Sequence, residues 1–181
     1  IQEVLRRTKD HFEKKGIDTA RLDAEILLST AMNWQRIDLY SKFDYPMSED
    51  ELARCREFVG RRSKGEPVAY IVGERGFYKS TFKVAPGVLI PRPETEILVE
   101  QAVEKTNPKH IIDLGTGSGC IGLSLLLEFP EAKLTAIDIS AKALGIAKEN
   151  AEALGVLERV QFIEGDVTEV EAEKADLITA N

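Results

Sequence analysis

The first 65 residues carry apolar side chains at the three- and four-residue spacing of helices. One series stops near Gly16, and a second follows Asp18 or Thr19, either of which is a suitable cap. A third starts at Ser48, which has the spacing of a capping box with Glu51. The pattern predicts three short helices with apolar faces at Val4, Leu5, Thr8, Phe12, Leu22, Ile26, Leu27, Leu52, Cys55, Phe58 and Val59.

The middle of the chain changes to short β-branched and aromatic runs separated by glycine. We expect strands at 69–72, 76–78 and 81–84, and a turn at 85–87 that leads into residues 88–90. Pro91-Arg-Pro-Glu94 then opens a helix through Ile97, Leu98, Ala102 and Val103, since proline is tolerated at a helix start. This stretch has the pattern of a hairpin linker.

From His110 onward, predicted strands and helices alternate. The predicted strands lie at 111–112, 134–137, 160–163 and 176–180, and the predicted helices at 120–128 and from Ser140 to Leu154. A repeated strand-helix-strand pattern requires a parallel sheet covered by helices.

The fold class predicted is therefore α/β, with a Rossmann-like domain preceded by a small α-helical domain and a β-hairpin linker. We place the helical domain at 1–67, the linker at 68–92 and the Rossmann-like domain at 93–181. Because the chain stops after its fourth predicted parallel strand, we expect the last domain to be incomplete at its C-terminal side. A sheet that stops there leaves Leu177 and Ile178 poorly covered.

Composition narrows the function classes. A net charge of −7 argues against a protein that wraps nucleic acid electrostatically. Metal-ligand spacing is absent around the two cysteines, Cys55 and Cys120, and the two histidines, His11 and His110, so we expect no metal. One distant pair of cysteines is also no disulfide framework, so we expect a reducing, cytoplasmic setting. No apolar run approaches the roughly 20 residues of a membrane span.

The segment Asp113-Leu-Gly-Thr-Gly-Ser-Gly119 follows the first predicted parallel strand. Ligands of open α/β sheets lie at such carboxyl ends, and glycines let the backbone approach them. A dinucleotide-binding loop needs its third glycine at position 120, which is Cys120, and no P-loop pattern is present. What remains resembles the first motif of class I S-adenosylmethionine-dependent methyltransferases.

That resemblance implies S-adenosylmethionine as cofactor. Asp113 would receive its ammonium group, directly or through water, and the loop residues Gly115, Thr116, Gly117, Ser118 and Gly119 would hold its other polar atoms. Asp138, at the end of the next strand, would accept the ribose hydroxyls, and Asp166 would meet the adenine amino group while Val167 packs on the ring. The alternatives are a loop cap for Asp113, a solvated side chain for Asp138 and an ordinary turn for Asp166.

A more specific resemblance lies in residues 76–96, with the sequence Gly-Phe-Tyr-Lys-Ser-Thr-Phe-Lys-Val-Ala-Pro-Gly-Val-Leu-Ile-Pro-Arg-Pro-Glu-Thr-Glu. Together with 113–119 and the terminal Thr179-Ala-Asn181, it resembles the PrmC/HemK family of peptide chain release factor glutamine methyltransferases. That family methylates the glutamine amide nitrogen in the Gly-Gly-Gln loop of class 1 release factors, which act in translation termination. The resemblance implies such an activity here, with the helical domain recognising the substrate, in a cytoplasmic monomer without stable nucleic-acid binding.

The resemblance also implies roles for individual residues. Asn181 matches the first residue of the family's Asn-Pro-Pro-Tyr motif, where the chain ends. It would be the catalytic and substrate-binding residue that holds the glutamine amide. Phe77, Arg92 and Glu94 belong to the family-like segment and are candidates to line the cleft. Their alternatives are a hairpin core position for Phe77 and a structural ion pair between Arg92 and Glu94.

Two other functions stay open at this point. Asn-Pro-Pro-Tyr also suits methylation of exocyclic amino groups of nucleic-acid bases, although the acidic balance weighs against it. Alternatively, the chain is an inactive fragment that binds a cofactor or a partner. The basic run of the third predicted helix, Arg54 to Lys64, is a solvated face or a contact for an acidic release-factor surface.

Overall fold

Helices make up the first part of the chain in the computed structural model, which describes residues 1–170 and 174–181. They are α1 (Gln2–Lys14), α2 (Ala20–Met32), α3 (Asp38–Ser41), α4 (Glu49–Ser63) and α5 (Val68–Val72). The three long helices confirm the prediction from apolar spacing, whereas the single-turn α3 was missed. Phe12, Leu27, Leu28 and Leu39 are fully buried between them.

Both predicted helix starts lie where the sequence placed them, but only one of the predicted side-chain caps forms. Ser48 accepts a hydrogen bond from the Glu51 amide at 3.3 Å, and the Glu51 carboxylate accepts one from the Ser48 amide at 2.7 Å. The predicted capping box of α4 therefore forms. Thr19 occupies the N-cap position of α2, but its side chain makes no capping hydrogen bond.

The predicted strand at 69–72 is wrong, because these residues form α5. The Pro67 carbonyl accepts from the Tyr70 and Ile71 amides at 3.0 and 3.2 Å, so the proline opens a helical turn. Ile71 is 5% exposed and packs with Phe12 and Leu27. An apolar run this short does not distinguish a buried strand from a buried helical turn.

Two arginines in the basic run of α4 have acidic partners within the helical unit. Arg61 pairs with Glu66 at 2.6 Å, and Arg62 pairs with the buried Asp23 at 2.7 Å. These two arginines therefore form ion pairs within the helical unit and contribute to the packing of its helices.

Contacts divide the chain into two compact units, Ile1–Val72 and Gly73–Asn181. The three-part division at 67 and 92 stays a prediction, since compactness alone does not assign a role to each part. The second unit begins with a hairpin of β1 (Glu74–Phe77) and β2 (Ser80–Lys83), paired antiparallel. The turn predicted at 85–87 is closed by a hydrogen bond from the Val88 amide to the Ala85 carbonyl at 3.0 Å, and residues 88–90 form no strand.

The rest of the second unit alternates between helices and strands, as predicted. After a 3₁₀ turn at Pro93–Thr95 it contains α6 (Glu96–Lys105), β3 (His110–Leu114), α7 (Cys120–Glu128), β4 (Lys133–Asp138), α8 (Ala141–Ala153), β5 (Val160–Glu164) and β6 (Leu177–Ala180). The predicted α/β class is thereby confirmed. No helix in the described residues is long and apolar enough to cross a membrane.

The four parallel strands lie in the order β5-β4-β3-β6. The chain proceeds outward from β3 through β4 to β5 and then returns to the other side of β3 to form β6. The strand order therefore reverses at β3, and ligands of such sheets bind outside the carboxyl end at that point. On β6, the side chain of Ile178 is 59% exposed.

Candidate functional site

The glycine loop lies where the sequence predicted it, between the end of β3 at Leu114 and the start of α7 at Cys120. Gly115, Gly117 and Gly119 have φ angles of +67°, +58° and +81°. Side-chain-bearing residues rarely adopt this left-handed region, so the alternating glycines are a requirement of the turn. The loop sits at the reversal point of the sheet.

Two glycines also allow close packing beneath the loop. A Cβ atom on Gly119 would lie 2.8 Å from Leu123 Cδ1 and 3.3 Å from Ala147 Cβ. A Cβ atom on Gly122, in the first turns of α7, would lie 2.9 Å from the Leu134 methyl groups and 3.1 Å from Asp113 Cβ. Gly122 was not singled out from the sequence, although a glycine inside a predicted helix is itself a signal of close approach.

Asp113 lies beneath the loop and is 1% exposed. Its Oδ2 accepts from Thr116 Oγ1 at 2.7 Å and from the Gly122 amide at 3.3 Å, and its Oδ1 accepts from Thr179 Oγ1 at 2.7 Å. One carboxylate thus joins the glycine loop, α7 and β6. Both oxygens of Asp113 already accept hydrogen bonds from protein donors, so this residue holds the loop in place. Its contact with the ammonium group of the cofactor stays a prediction.

Burial raises the pKa of Asp113 above its ordinary value, and the hydrogen bonds from Thr116, Thr179 and Gly122 oppose the shift. Between the ordinary value of 3.8 and the raised one, the folded chain holds a proton that the unfolded chain has released. The contribution of Asp113 to stability therefore falls as the pH rises through this window.

We expect Asp113→Asn to remove this pH dependence, because an amide does not titrate. In urea unfolding between about pH 4 and about pH 7, the stability of the variant should improve relative to the wild type as the pH rises. Asp176→Asn is the matched control: the His110 and Lys109 amides lower the pKa of Asp176 below 3.8, so its contribution is already present above that value and its loss should cost nearly the same across this range. Parallel curves for the wild type and Asp113→Asn would contradict the assignment.

Asp138, the predicted ribose ligand, ends β4 beside the loop. Its Oδ2 accepts from the Gly117 amide at 2.8 Å, and its Oδ1 accepts from the Ser140 amide at 2.9 Å. Ser140 in turn caps α8 by accepting from the Ala143 amide at 3.3 Å. The side chain of Asp138 is half-buried, so the carboxylate is ordered by the backbone and still reaches solvent.

Asp166 and Val167 follow β5, the next strand outward. Asp166 Oδ1 accepts from the Thr168 hydroxyl at 2.7 Å and from its amide at 2.9 Å, which together lower the pKa of this exposed carboxyl. The Gly165 amide donates to the Asp138 carbonyl at 3.1 Å and joins this turn to the end of β4. The three acids thus lie at or just beyond the carboxyl ends of three neighbouring strands, along one edge of the sheet.

A cleft opens on the other side of the loop. Asn181, immediately after β6, donates from Nδ2 to Thr95 Oγ1 at 3.3 Å. The cleft is lined by Leu89, Ile90, Pro91, Arg92, Thr95, Gly115, Thr116, Gly117, Ser118, Cys120, Ile121 and Asn181. The family-like segment, the glycine loop and the end of the chain therefore meet at the reversal point of the sheet.

The other predicted cleft residues lie apart from this lining. Phe77 is 1% exposed and packs edge to face on Phe82 with ring centroids 6.1 Å apart, which is the hairpin core position named as its alternative. A direct contact with a ligand would require this ring to leave the core. Glu94 is exposed, and within the described part of the chain it forms no ion pair with Arg92.

Sequence reasoning missed Thr95 and Cys120 as cleft residues. Thr95 is 9% exposed and lies within the family-like segment, so its place in that segment was the available signal. Cys120 is 9% exposed, and burial raises the pKa of its thiol to about 12. The thiol is therefore neutral at physiological pH and contributes shape to the cleft, not charge. Among the described residues, no cluster of His, Cys, Asp or Glu side chains is placed to hold a metal ion.

Comparison with known proteins agrees with this organisation. The PrmC N-terminal domain matches residues 3–73, and the methyltransferase small domain matches residues 91–181. The release factor glutamine methyltransferase of Chlorobaculum tepidum is 44% identical over 174 residues, covering 92% of this chain and 59% of that protein. The one from Geobacter sulfurreducens is 40% identical over 183 residues, covering 100% of this chain and 64% of that protein.

The chain therefore spans about three fifths of the length of these relatives. Among solved structures, the tRNA (uracil-54, C5)-methyltransferase of Pyrococcus abyssi aligns with a TM-score of 0.50 and 19% identity, covering 58% of this chain and 26% of that one. At this identity the likeness concerns the fold alone.

Proposed function

The chain belongs to the methyltransferase small domain family, and we propose that it binds S-adenosylmethionine and directs its methyl group to the side-chain amide nitrogen of glutamine in the Gly-Gly-Gln loop of class 1 release factors. Support comes from the relatives named release factor glutamine methyltransferase, at 40% and 44% identity. By the same proposal the protein is a cytoplasmic monomer, and residues 1–67 recognise the release factor.

The observation that carries the proposal is the hydrogen bond between Asn181 and Thr95 beside the glycine loop. This bond holds the Asn181 amide in the cleft beside the glycine loop, at the edge where parallel sheets bind ligands. A glutamine side chain has two amide hydrogens and one oxygen, so the oxygen of another amide is a fitting acceptor for it. The Asn181 Nδ2 group is engaged with Thr95, which leaves Oδ1 to accept from an incoming amide.

The residues of the loop fit the proposed cofactor. Because Gly115, Gly117 and Gly119 carry no side chains, ligand atoms can approach the backbone closely. Asp138 would accept the two ribose hydroxyls, and Asp166 with Val167 would meet the adenine. Asp113 would act beneath the loop, by holding Thr116 and Gly122 in place.

An amide nitrogen is a poor nucleophile because its lone pair is delocalised. The sulfonium group of S-adenosylmethionine supplies an activated methyl group, which allows direct in-line displacement without a metal or a covalent enzyme intermediate. The protein then contributes orientation: Asn181 Oδ1 would accept one amide hydrogen and fix the direction of the nitrogen. Buried walls such as Cys120 and Ile121 would exclude water from the cleft.

We expect Asp138→Ala to weaken binding of S-adenosylmethionine by about 1.5 to 3 kcal/mol, the range for hydrogen bonds to a charged group. Isothermal titration calorimetry measures the change. Glu164→Gln is the matched control, because Glu164 is paired with Asp138 in the neighbouring strand and is exposed. Equal affinities for Asp138→Ala and the wild type would argue against the ribose assignment.

The function itself is tested by incubating the protein with labelled S-adenosylmethionine and a class 1 release factor. Label should enter the release factor and should be absent from a substrate whose Gly-Gly-Gln glutamine is replaced with alanine. Label in RNA or DNA instead would favour the base-methylating alternative. Cofactor binding without any transfer would identify a binding fragment and overturn the catalytic proposal for this chain.

A further inference from the structure

Asn150 is a polar residue on the buried face of α8, among Ala143, Ala147 and Ala151. Its side chain is 3% exposed, and it makes three hydrogen bonds. Oδ1 accepts from the Lys83 amide at 2.7 Å, and Nδ2 donates to the Lys83 carbonyl at 3.1 Å and to the Ser118 carbonyl at 2.8 Å. One amide group thus connects β2 of the hairpin with the glycine loop.

The chemistry of these three contacts requires an amide at position 150. A carboxylate cannot donate to the two carbonyls, and an aliphatic side chain can neither donate nor accept. Toward Lys83, the Asn150 side chain pairs with both the N–H and the C=O of one residue, as a neighbouring strand does. Buried polar groups left unpaired are costly, so the hairpin and the loop both depend on this side chain.

Three polar atoms of the glycine loop are held by side chains from three different elements. Asp113 holds the hydroxyl of Thr116, Asp138 holds the amide of Gly117, and Asn150 holds the carbonyl of Ser118. Asp113 comes from β3, which leads into the loop, and Asp138 comes from the neighbouring β4. Of these three residues, only Asn150 also contacts β2. From β2 the chain continues toward Arg92 and Thr95 in the cleft.

We propose that Asn150 is a positioning residue that sets the glycine loop for cofactor binding and couples its geometry to the hairpin. This proposal rests on the proposed function, because it assumes that the loop binds S-adenosylmethionine. Coupling follows from the shared side chain: a ligand that fixes Ser118 also restricts Asn150, which in turn restricts Lys83. An ion pair between Lys83 and Glu149 lies beside this contact and reaches the hairpin without touching the loop.

The test compares Asn150→Asp with Glu149→Gln. The first variant keeps the shape of the side chain and removes both donated hydrogen bonds, whereas the second removes only the neighbouring ion pair. Calorimetry with S-adenosylhomocysteine should show a dissociation constant raised about tenfold or more by Asn150→Asp and changed less than about twofold by Glu149→Gln. Circular dichroism and melting temperatures establish that both variants are folded at the titration temperature.

A measurement on the wild type keeps the proposal testable if Asn150→Asp does not fold. Hydrogen exchange of the Lys83 amide reports directly on its bond to Asn150, so saturating S-adenosylhomocysteine should slow this exchange several-fold. The Arg75 amide on β1 serves as the reference, since slowing there by the same factor would mean a general effect on the hairpin.

The outcomes separate the two proposals. A wild type that does not bind S-adenosylhomocysteine contradicts the proposed function. A wild type that binds, together with an Asn150→Asp variant of equal affinity and lower melting temperature, leaves the function standing and makes Asn150 merely structural. Unchanged exchange of the Lys83 amide on ligand binding likewise overturns the coupling.

Discussion

Replacing Asp113 with leucine is expected to destabilise the Gly73–Asn181 unit by about 3 to 5 kcal/mol, because it removes the carboxylate to which three buried donors bond. The donors are the hydroxyls of Thr116 and Thr179 and the amide of Gly122. Each unpaired buried group costs about 1 to 3 kcal/mol, and removal of a desolvated carboxylate offsets part of the sum. Urea unfolding followed by circular dichroism measures the loss.

A double-mutant cycle with Thr179→Val isolates one of these contacts. In the wild type, Thr179→Val should cost about 1 kcal/mol, since it breaks a buried hydrogen bond. In the Asp113→Leu background it should cost less, because the hydroxyl then has the 3.4 Å contact with the Ile112 carbonyl in place of the 2.7 Å bond to Asp113. Additive losses would mean that the bond between Asp113 and Thr179 contributes nothing, and that β6 is held to β3 by its backbone pairing alone.

Replacing Gly119 with valine is expected to abolish binding of S-adenosylmethionine and to destabilise the unit by about 2 to 4 kcal/mol. The first added carbon would already lie 2.8 Å from Leu123 Cδ1 and 3.3 Å from Ala147 Cβ. The φ angle of +81° adds backbone strain for a β-branched residue. The loop must then shift, and its amides no longer face a ligand in the same direction.

Gly145→Ala is the matched control for Gly119→Val. Gly145 lies within α8, it is exposed, and a Cβ atom there would meet nothing within 4 Å. Alanine at that position should leave cofactor affinity unchanged and stabilise the helix by up to about 1 kcal/mol. Calorimetry and urea unfolding of both variants make the comparison. Full affinity in Gly119→Val would remove the loop from the proposed site.

Several features of the fold were predictable because their signals are local. The capping box at Ser48 and Glu51 depends on atoms three residues apart, and it forms as expected. The helix predicted at 120–128 has those bounds in the structure, and the alternation of strands and helices leads to the parallel sheet. The expected resemblance to the PrmC/HemK family is also confirmed by the PrmC N-terminal and methyltransferase small domains.

The failures also have a physical cause. The apolar run at 69–72 forms α5 because Pro67 opens a turn and the helical core covers Ile71, and nothing within the run itself specifies that choice. Phe77 was placed at the cleft from its position in the family-like segment, whereas the packing of Phe82 buries it. In both cases a tertiary neighbour decided what the local pattern left open.

By itself, the sequence determined the class of fold, the position of the glycine loop and the acids at the ends of β3 and β4 and beyond β5, because each depends on spacing along a single stretch of chain. Only the tertiary structure decided which of these groups meet. Thr179 reaches Asp113 across 66 residues, Asn150 reaches Lys83 across 67, and Asn181 reaches Thr95 across 86. Such contacts follow from strand order and helix packing, which bring distant segments together without leaving a periodic signal in either one.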